Sequence, residues 1–213
     1  MEAGKRTKGF YGWWLLFFLW IVYTIPVGFV FYGPPVLYPF MIEETGWSRG
    51  DIMVGYAAIM LLTGIASPLA AWMIGRLGVR VTLFVGGIGV AAINFAMAWI
   101  GDSYPAYIAL CVLLGLVAAP ATFIPIQTVI IFWFDARRAL ALGLVLGGGA
   151  VGGFFATQIV SAAVLGAGGE WRIGLNITVV AALIGAFVAI LAVRNRHSDL
   201  GQHPDGQAPD QAK

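Results

Sequence analysis

The sequence predicts an all-α membrane protein with six transmembrane helices. Three observations predict this class: apolar residues dominate, charged residues are rare, and the apolar residues form long runs. Of the 213 residues, 60% are hydrophobic and 10% are charged, and the mean hydropathy is +0.89. A water-soluble domain has about 25% charged residues, so this chain has too few charges to cover a water-facing surface.

Six apolar segments are long enough to cross a bilayer, which takes about 20 apolar residues. They are residues 11–42, 52–74, 79–100, 105–134, 139–165 and 173–193. The first is longer than one crossing, so we expect it to tilt, kink or project beyond the membrane. Pro26 and the Gly33-Pro34-Pro35 cluster are its expected kink points, because proline removes a backbone donor and crowds the preceding turn. We expect residues 1–193 to form one bundle and residues 194–213 a flexible cytoplasmic tail.

The basic residues predict the orientation of the bundle. Six crossings divide the termini and loops into two sets on opposite sides of the membrane. One set holds ten of the 12 lysines and arginines, and the other holds only Arg49 and Arg172. Basic residues stay cytoplasmic, so both termini are predicted to lie in the cytoplasm, in a multi-pass protein of the cell inner (plasma) membrane. The ten are Lys5, Arg6, Lys8, Arg76, Arg80, Arg137, Arg138, Arg194, Arg196 and Lys213.

The predicted spans have no Asp, Glu, Lys, Arg or His near their centres. Such residues mark proton relays and ion sites within membranes, so we do not expect this chain to carry a relay on its own. Most of the milder polar groups are expected to bond to a neighbouring helix or to their own backbone. Alternatively, some line a polar cavity. The candidates lie in the two proline-bearing spans, where kinked helices border cavities, and are Tyr23, Tyr32, Gln127 and Thr128.

A dense glycine run opens the fifth span. It contains three overlapping pairs at small-xxx-small spacing: Gly143 with Gly147, Gly148 with Gly152, and Gly149 with Gly153. Glycines at this spacing allow two helix backbones to approach closely. Two uses stay open, which are tight packing inside the bundle and docking of a second helical unit. The candidates for the docking face are Gly143, Gly147, Gly148 and Gly152.

Enzyme, metal and nucleic-acid functions find little support in the sequence. Both histidines, His197 and His203, lie in the tail, and there is no paired-carboxylate site, HExxH or GxSxG motif. The single cysteine, Cys111, lies in an apolar run and offers neither a disulfide framework nor a metal cluster. The net charge of +2 gives no reason to expect nucleic-acid binding. We therefore predict no cofactor, and expect the lipid bilayer and a small solute as partners.

Five short motifs occur in order along the chain and on the sides of the membrane that the topology predicts. They are residues 10–14 (FYGWW), 46–49 (GWSR), 75–80 (GRLGVR), 133–143 (WFDARRALALG) and 199–206 (DLGQHPDG). Together they resemble the amino-terminal half of a major facilitator superfamily transporter, most closely the oxalate/formate antiporter and monocarboxylate transporter group. The third resembles the cytoplasmic loop signature, carried here by Arg76, Gly78 and Arg80. The fourth resembles the motif after helix four, with Arg137 and Arg138.

The chain departs from that family pattern in two respects. Gly75 stands where the loop signature has an acid, and Ala71 where it has its leading glycine, so a latch made by that acid would be weaker or differently made. The chain also stops after six helices. The resemblance implies two six-helix halves around a midplane site, each built from two inverted three-helix repeats. It further implies that helices one and four line the path, helices two and five face the other half, and helices three and six face lipid.

The resemblance implies a half-size secondary transporter that works by alternating access after pairing with an identical copy or a separate second half. The solute would be a small organic anion such as a monocarboxylate or dicarboxylate. A buried carboxylate without a cation is costly, and no predicted span supplies one. Either the partner half supplies the cation or the solute is not a carboxylate. Two alternatives remain: a membrane interaction partner that does not transport, and a truncated fragment of a full-length transporter.

Overall fold

The computed structural model describes residues 11–100, 103–195 and 205, and they form helices joined by short turns. The helices are α1 (Gly12–Val27), α2 (Pro34–Thr45), α3 (Arg49–Ile65), α4 (Ser67–Met97), α5 (Tyr104–Ala121), α6 (Phe123–Trp133), α7 (Arg138–Gly166) and α8 (Trp171–Ala192). A π-helical turn, Gly28–Tyr32, joins α1 to α2. The prediction of an all-helical protein is confirmed for the described part of the chain.

Within the described residues, five helical segments are long and apolar enough to cross a membrane. They are Gly12–Thr45, Ser67–Met97, Tyr104–Trp133, Arg138–Gly166 and Trp171–Ala192. Four of them coincide with the predicted first, fourth, fifth and sixth spans. Ser67–Met97 contains most of the predicted third span and the end of the second. α3, at 17 residues, is shorter than these five segments.

Gly78 interrupts α4 at the position where the sequence predicts a loop. Its φ of 78° and ψ of 163° are non-helical, in a region that side chains other than glycine rarely adopt. Residues 67–77 and 79–97 are therefore separate helical pieces. By contrast, the junction of α3 and α4 is continuous, because Ala66 donates to the Leu62 carbonyl at 2.8 Å and its own carbonyl accepts from Ala70 at 3.1 Å.

The first membrane-spanning segment is interrupted at its predicted kink points. Pro26 lies inside α1, and the π-helical turn begins two residues later. The Gly33 N–H donates to the Gly28 carbonyl at 3.0 Å, closing the wide turn. Pro34 and Pro35 then start α2, where their missing N–H groups cost little because the first turn has no helical acceptor for them.

The segment Tyr104–Trp133 is also interrupted next to a proline. Pro120 lies in the last turn of α5, and Thr122 leaves the helical region with φ −127° and ψ −105°. α6 resumes at the next residue, Phe123. Both proline-bearing spans are therefore interrupted α-helices, called here the broken spans. The first is interrupted by a π-helical turn whose backbone angles stay helical, and the other by a non-helical residue, Thr122.

The helices pack as two interlocked groups. α1 packs against α7 and α8, while α5 packs against α3 and α4. α4 also packs against α8 and joins the groups. One buried cluster fills the end of the bundle near Tyr38, Ile52 and Trp171, and a second fills the opposite end near Leu15 and Trp133.

Candidate functional site

A cavity of about 310 Å³ opens where the two broken spans meet. The π-helical turn contributes Phe31 and Tyr32, and the break between α5 and α6 contributes Thr122 and Phe123. α1 and α3 complete the wall. The full lining, called here the aromatic cavity, is Tyr23, Val27, Phe31, Tyr32, Tyr56, Met60, Thr63, Thr122 and Phe123. None of these side chains is charged at neutral pH.

The threonine hydroxyls of the aromatic cavity are acceptors. Thr63 donates its proton to the Ile59 carbonyl at 2.7 Å, and Thr122 donates to the Ala118 carbonyl at 2.8 Å. Each hydroxyl has one proton, so these oxygens keep lone pairs for a ligand but no donor.

The tyrosine hydroxyls are the donors of this cavity. Tyr56 donates to the Phe31 carbonyl across a long 3.5 Å contact, which ties α3 to the π-helical turn. Tyr23 and Tyr32 contribute two further hydroxyls. The site can therefore donate hydrogen bonds to an anionic or carbonyl-bearing solute and stack aromatic rings on its apolar parts.

Two glycines of α7 seat the rings of Tyr23 and Tyr32. A Cβ atom on Gly149 would lie 3.2 Å from Tyr23 Cε1, and one on Gly153 would lie 2.9 Å from Tyr32 Cγ. The rings thus rest on the α7 backbone. Sequence spacing alone does not connect these glycines with the tyrosines, because the π-helical turn shifts the position of Tyr32 around the helix relative to Tyr23.

Gln127 and Thr128, the other two candidates for the solute path, lie on α6 outside the aromatic cavity. Gln127 is half-buried and lies one turn beyond Phe123 on the same side of the helix. Thr128 donates to the Ile124 carbonyl at 2.8 Å, the local bond expected for most polar groups in the spans. Conversely, Tyr56 lines the cavity although no pattern in the sequence predicts it there.

The four glycines predicted as a docking face divide into two pairs. A Cβ on Gly148 would collide with the Thr24 hydroxyl, and one on Gly152 would collide with the Thr24 carbonyl. Both are buried and pack α7 against α1 inside this bundle. Gly143 and Gly147 are exposed, and a Cβ on either would meet nothing within 4 Å.

Arg80 and Arg76, of the loop motif that is predicted to be cytoplasmic, differ in their contacts. The Arg80 backbone N–H donates to Asn195 Oδ1 at 2.9 Å, and its Nε donates to the Ile190 carbonyl. Arg80 therefore anchors the end of α8. Arg76 is exposed, with its guanidinium 5.6 Å from the ring centroid of Trp72.

The basic pair Arg137 and Arg138 lies at the start of α7. The Arg137 guanidinium is 5.7 Å from the Trp13 ring centroid, and Arg138 pairs with Asp135 at 3.4 Å. Asp205, from the predicted tail, accepts the backbone N–H groups of Asp135 and Ala136 at 3.0 and 2.7 Å. The rest of the tail beyond residue 195 lies outside the described residues, and its flexibility stays a prediction.

Comparison with known proteins decides the family. The sequence model described as Major Facilitator Superfamily matches residues 19–212, which is most of the chain. The chain belongs to this superfamily. An MFS-type transporter from Aspergillus fumigatus is 35% identical over 109 residues, or 51% of this chain and 25% of that protein. The match therefore spans about a quarter of that relative's length.

Membership in the Major Facilitator Superfamily makes the chain a multi-pass membrane protein that lies in a lipid bilayer. Transporters of this superfamily are generally not enzymes, in agreement with the prediction from the sequence. The superfamily part of the predicted resemblance is thereby confirmed. The oxalate/formate and monocarboxylate group stays a prediction.

Proposed function

We propose that the chain forms one six-span bundle of a secondary transporter, and that the aromatic cavity is its share of the solute path. The observation that carries this proposal is that the π-helical turn of the first span and the break at Thr122 line the same uncharged cavity with hydroxyl groups. In secondary transporters, interrupted helices border the solute site because their freed backbone groups are tolerated only beside a cavity or inside protein.

The geometry around Gly78 supports six crossings. α3 and the first piece of α4 form one hydrogen-bonded path from residue 49 to residue 77. At 1.5 Å per residue this path is about 43 Å long, and residues 79–97 add about 28 Å, against about 30 Å of hydrocarbon. The second crossing then ends at Gly78 and the third begins there.

The packing pattern supports two inverted repeats of three spans. With spans numbered in chain order, span one packs against spans five and six, and span four packs against spans two and three. The counterparts are spans one and four, two and five, and three and six. If each span is replaced by its counterpart, the contacts of span one become the contacts of span four. Spans three and six, which are counterparts, pack against each other.

We propose a small organic anion, such as a monocarboxylate or dicarboxylate, as the solute. Tyr23 and Tyr32 would donate to its oxygens, and the aromatic walls would contact its carbon atoms. The lining described above has no cation, and an unpaired buried carboxylate is costly. A second bundle, either an identical copy or a separate half, would therefore supply the positive charge, and the two bundles would rock around the shared site.

Solute uptake into vesicles tests this proposal. The chain is reconstituted alone or with its second half, and uptake of a labelled dicarboxylate is compared between the native protein and a Tyr23→Phe, Tyr32→Phe double variant. A hydrogen bond to a charged group contributes about 1.5–3 kcal/mol, so uptake at low solute concentration should fall by roughly tenfold or more. Tyr104→Phe, at a tyrosine outside the cavity, is the matched control and should transport normally.

Unchanged uptake in the double variant would place the solute path elsewhere. A non-transporting interaction partner is the second candidate function, favoured by the open surface at Gly143 and Gly147. This second function predicts no solute uptake in any preparation. It also predicts that the chain associates with another membrane protein and that Gly147→Leu abolishes this association. Native mass spectrometry separates a pair of chains from a monomer before either experiment.

A further inference from the structure

A larger cavity lies on the other side of α1 from the aromatic cavity. It is a groove of about 700 Å³ between α7 and α8, with α1 as its floor. Trp20 and Thr24 line this groove, whereas Tyr23 and Val27 line the aromatic cavity. The close contact between Thr24 and Gly152 forms part of the wall between the two.

The sides of the groove are apolar and open. α7 contributes Val151, Phe155 and Ile159, and α8 contributes Val180 and Ile184, all with exposed side chains. α7 and α8 contact each other less than either contacts α1, which leaves the gap between them. In a membrane-spanning bundle, such an open apolar gap faces the hydrocarbon chains of the bilayer.

The groove continues into a polar pocket at the start of α8. Asn176 lines both the groove and a pocket of about 320 Å³ that it forms with Ala98, Trp99 and Arg172. Trp99 is 76% exposed, as expected for an aromatic side chain at the membrane–water interface. An apolar groove that ends at an interfacial polar pocket matches the shape of a phospholipid, with its acyl chain in one and its headgroup in the other.

The charges beside this pocket have both signs. Arg172 Nη1 lies 2.6 Å from Glu44 Oε1 and 3.1 Å from Glu170 Oε1. A guanidinium has five N–H donors, so donors remain for a phosphate after these two contacts. Two carboxylates around one cation leave the site net negative, which disfavours an anionic headgroup. A zwitterionic headgroup can place its phosphate at Arg172 and its ammonium at Glu170.

We propose that this groove binds one zwitterionic phospholipid from the bilayer, with an acyl chain between α7 and α8 and the headgroup at Arg172 and Asn176. The lipid would fill the gap between two helices that touch little directly. The inference is independent of the proposed solute path, because the groove and the aromatic cavity share no lining residue.

Native mass spectrometry of the full chain in mild detergent tests the proposal. Phosphatidylethanolamine or phosphatidylglycerol with identical acyl chains is added, and bound lipids are counted as the collision energy rises. We expect one phosphatidylethanolamine to survive on each chain after other lipids are lost, and no phosphatidylglycerol to survive at that energy. Glu170→Gln, which removes the carboxylate proposed to receive the ammonium, should remove this preference for phosphatidylethanolamine.

Groove-filling variants locate the lipid. Val180→Trp and Val151→Trp fill the groove from opposite walls at exposed positions, so neither requires repacking of the core. Both should lose the retained lipid. Phe187→Trp on α8 and Phe154→Trp on α7 are exposed outside the groove and should keep it. Thermal unfolding confirms that the four variants are folded.

Three results would overturn the proposal. One is equal retention of the two lipids, and another is retention that neither filling variant changes. The third is that a second copy of the chain is retained instead of a lipid, and that Val180→Trp abolishes the binding of this second copy.

Discussion

Gly148 and Gly152 set the distance between α1 and α7. A Cβ on either glycine would overlap Thr24, so the two backbones meet almost directly at this level. In a bilayer, helices associate through such close packing because lipid chains are as apolar as the side chains they replace. Gly148 and Gly152 therefore pack α7 against α1 inside the bundle, while Gly143 and Gly147 remain on its surface.

Alanine substitution at Gly152 and at Gly147 separates these two roles. Gly152→Ala should lower the free energy of unfolding by about 1–3 kcal/mol, because the new methyl group meets a backbone carbonyl that cannot rotate away. Gly147→Ala, in the same helix, should be neutral or stabilising by up to about 1 kcal/mol, since alanine favours the helix. Thermal unfolding of both variants in one detergent measures the difference. Equal midpoints would contradict the close approach of α1 and α7.

At the scale of elements, α4 consists of two helical pieces, residues 67–77 and 79–97, which meet at Gly78. Gly78 provides the break, and the side chain of Asn195 occupies the space beside it. Asn195 in turn accepts the Arg80 N–H at 2.9 Å. The loop motif and the end of α8 therefore form a single structural unit, which sequence spacing alone does not reveal because 115 residues separate Arg80 from Asn195.

Gly78→Ala should disrupt this unit, and Gly75→Ala should not. Alanine at residue 78 would keep a positive φ, at a cost of about 1–3 kcal/mol, and its Cβ would lie 2.7 Å from Asn195 Nδ2. We expect a lower unfolding temperature and faster hydrogen exchange at the Arg80 amide. Gly75 is helical with open space around it, so it provides the matched control. Unchanged exchange in Gly78→Ala would show that the Arg80–Asn195 contact does not hold this end together.

At the scale of the whole molecule, two different cavities lie on opposite sides of α1. The aromatic cavity gathers both broken spans, whereas the groove between α7 and α8 is apolar and ends at a charged pocket. Under the two proposals above, one of these cavities serves a solute shared with a second bundle and the other binds a lipid of the bilayer.

Cysteine labelling tests the crossing number and the orientation together. Arg49→Cys and Glu170→Cys should react from outside the cell with a membrane-impermeant maleimide, and Gly75→Cys only after permeabilisation. Native Cys111 is 1% exposed, so the unmodified chain should remain unlabelled and serves as the control. Labelling of residues 49 and 75 from the same side would rule out a second crossing between them. Labelling of residue 75 alone from outside would reverse the orientation.

Much of the fold was predictable because the determining signals are local. Hydropathy placed most span boundaries within a few residues of the observed helices, and Pro26 with the Gly33-Pro34-Pro35 cluster placed the π-helical turn of the first span. The break at Thr122 was not located from the sequence. Tyr23 and Tyr32 were predicted as lining residues from those prolines, and the structure puts both in the aromatic cavity. Gln127 and Thr128 lie outside it, since membership of a broken span does not define which side of the helix faces the cavity.

The sequence by itself determined that this is a helical membrane protein, where most of its helices run and where the first span departs from a regular α-helix. These properties depend on neighbouring residues and on the thickness of the bilayer. Only the tertiary structure decided which glycines contact α1, which hydroxyls share a cavity and where the apolar groove opens. The glycine contacts and the groove arise where α1 meets α7 and α8, more than a hundred residues further along the chain. The hydroxyls come together from α1, the π-helical turn, α3 and the break between α5 and α6. The π-helical turn also shifts the residues that follow it around the helix axis relative to those of α1. A constant helical repeat along the sequence therefore does not specify which residues of the first span share one side.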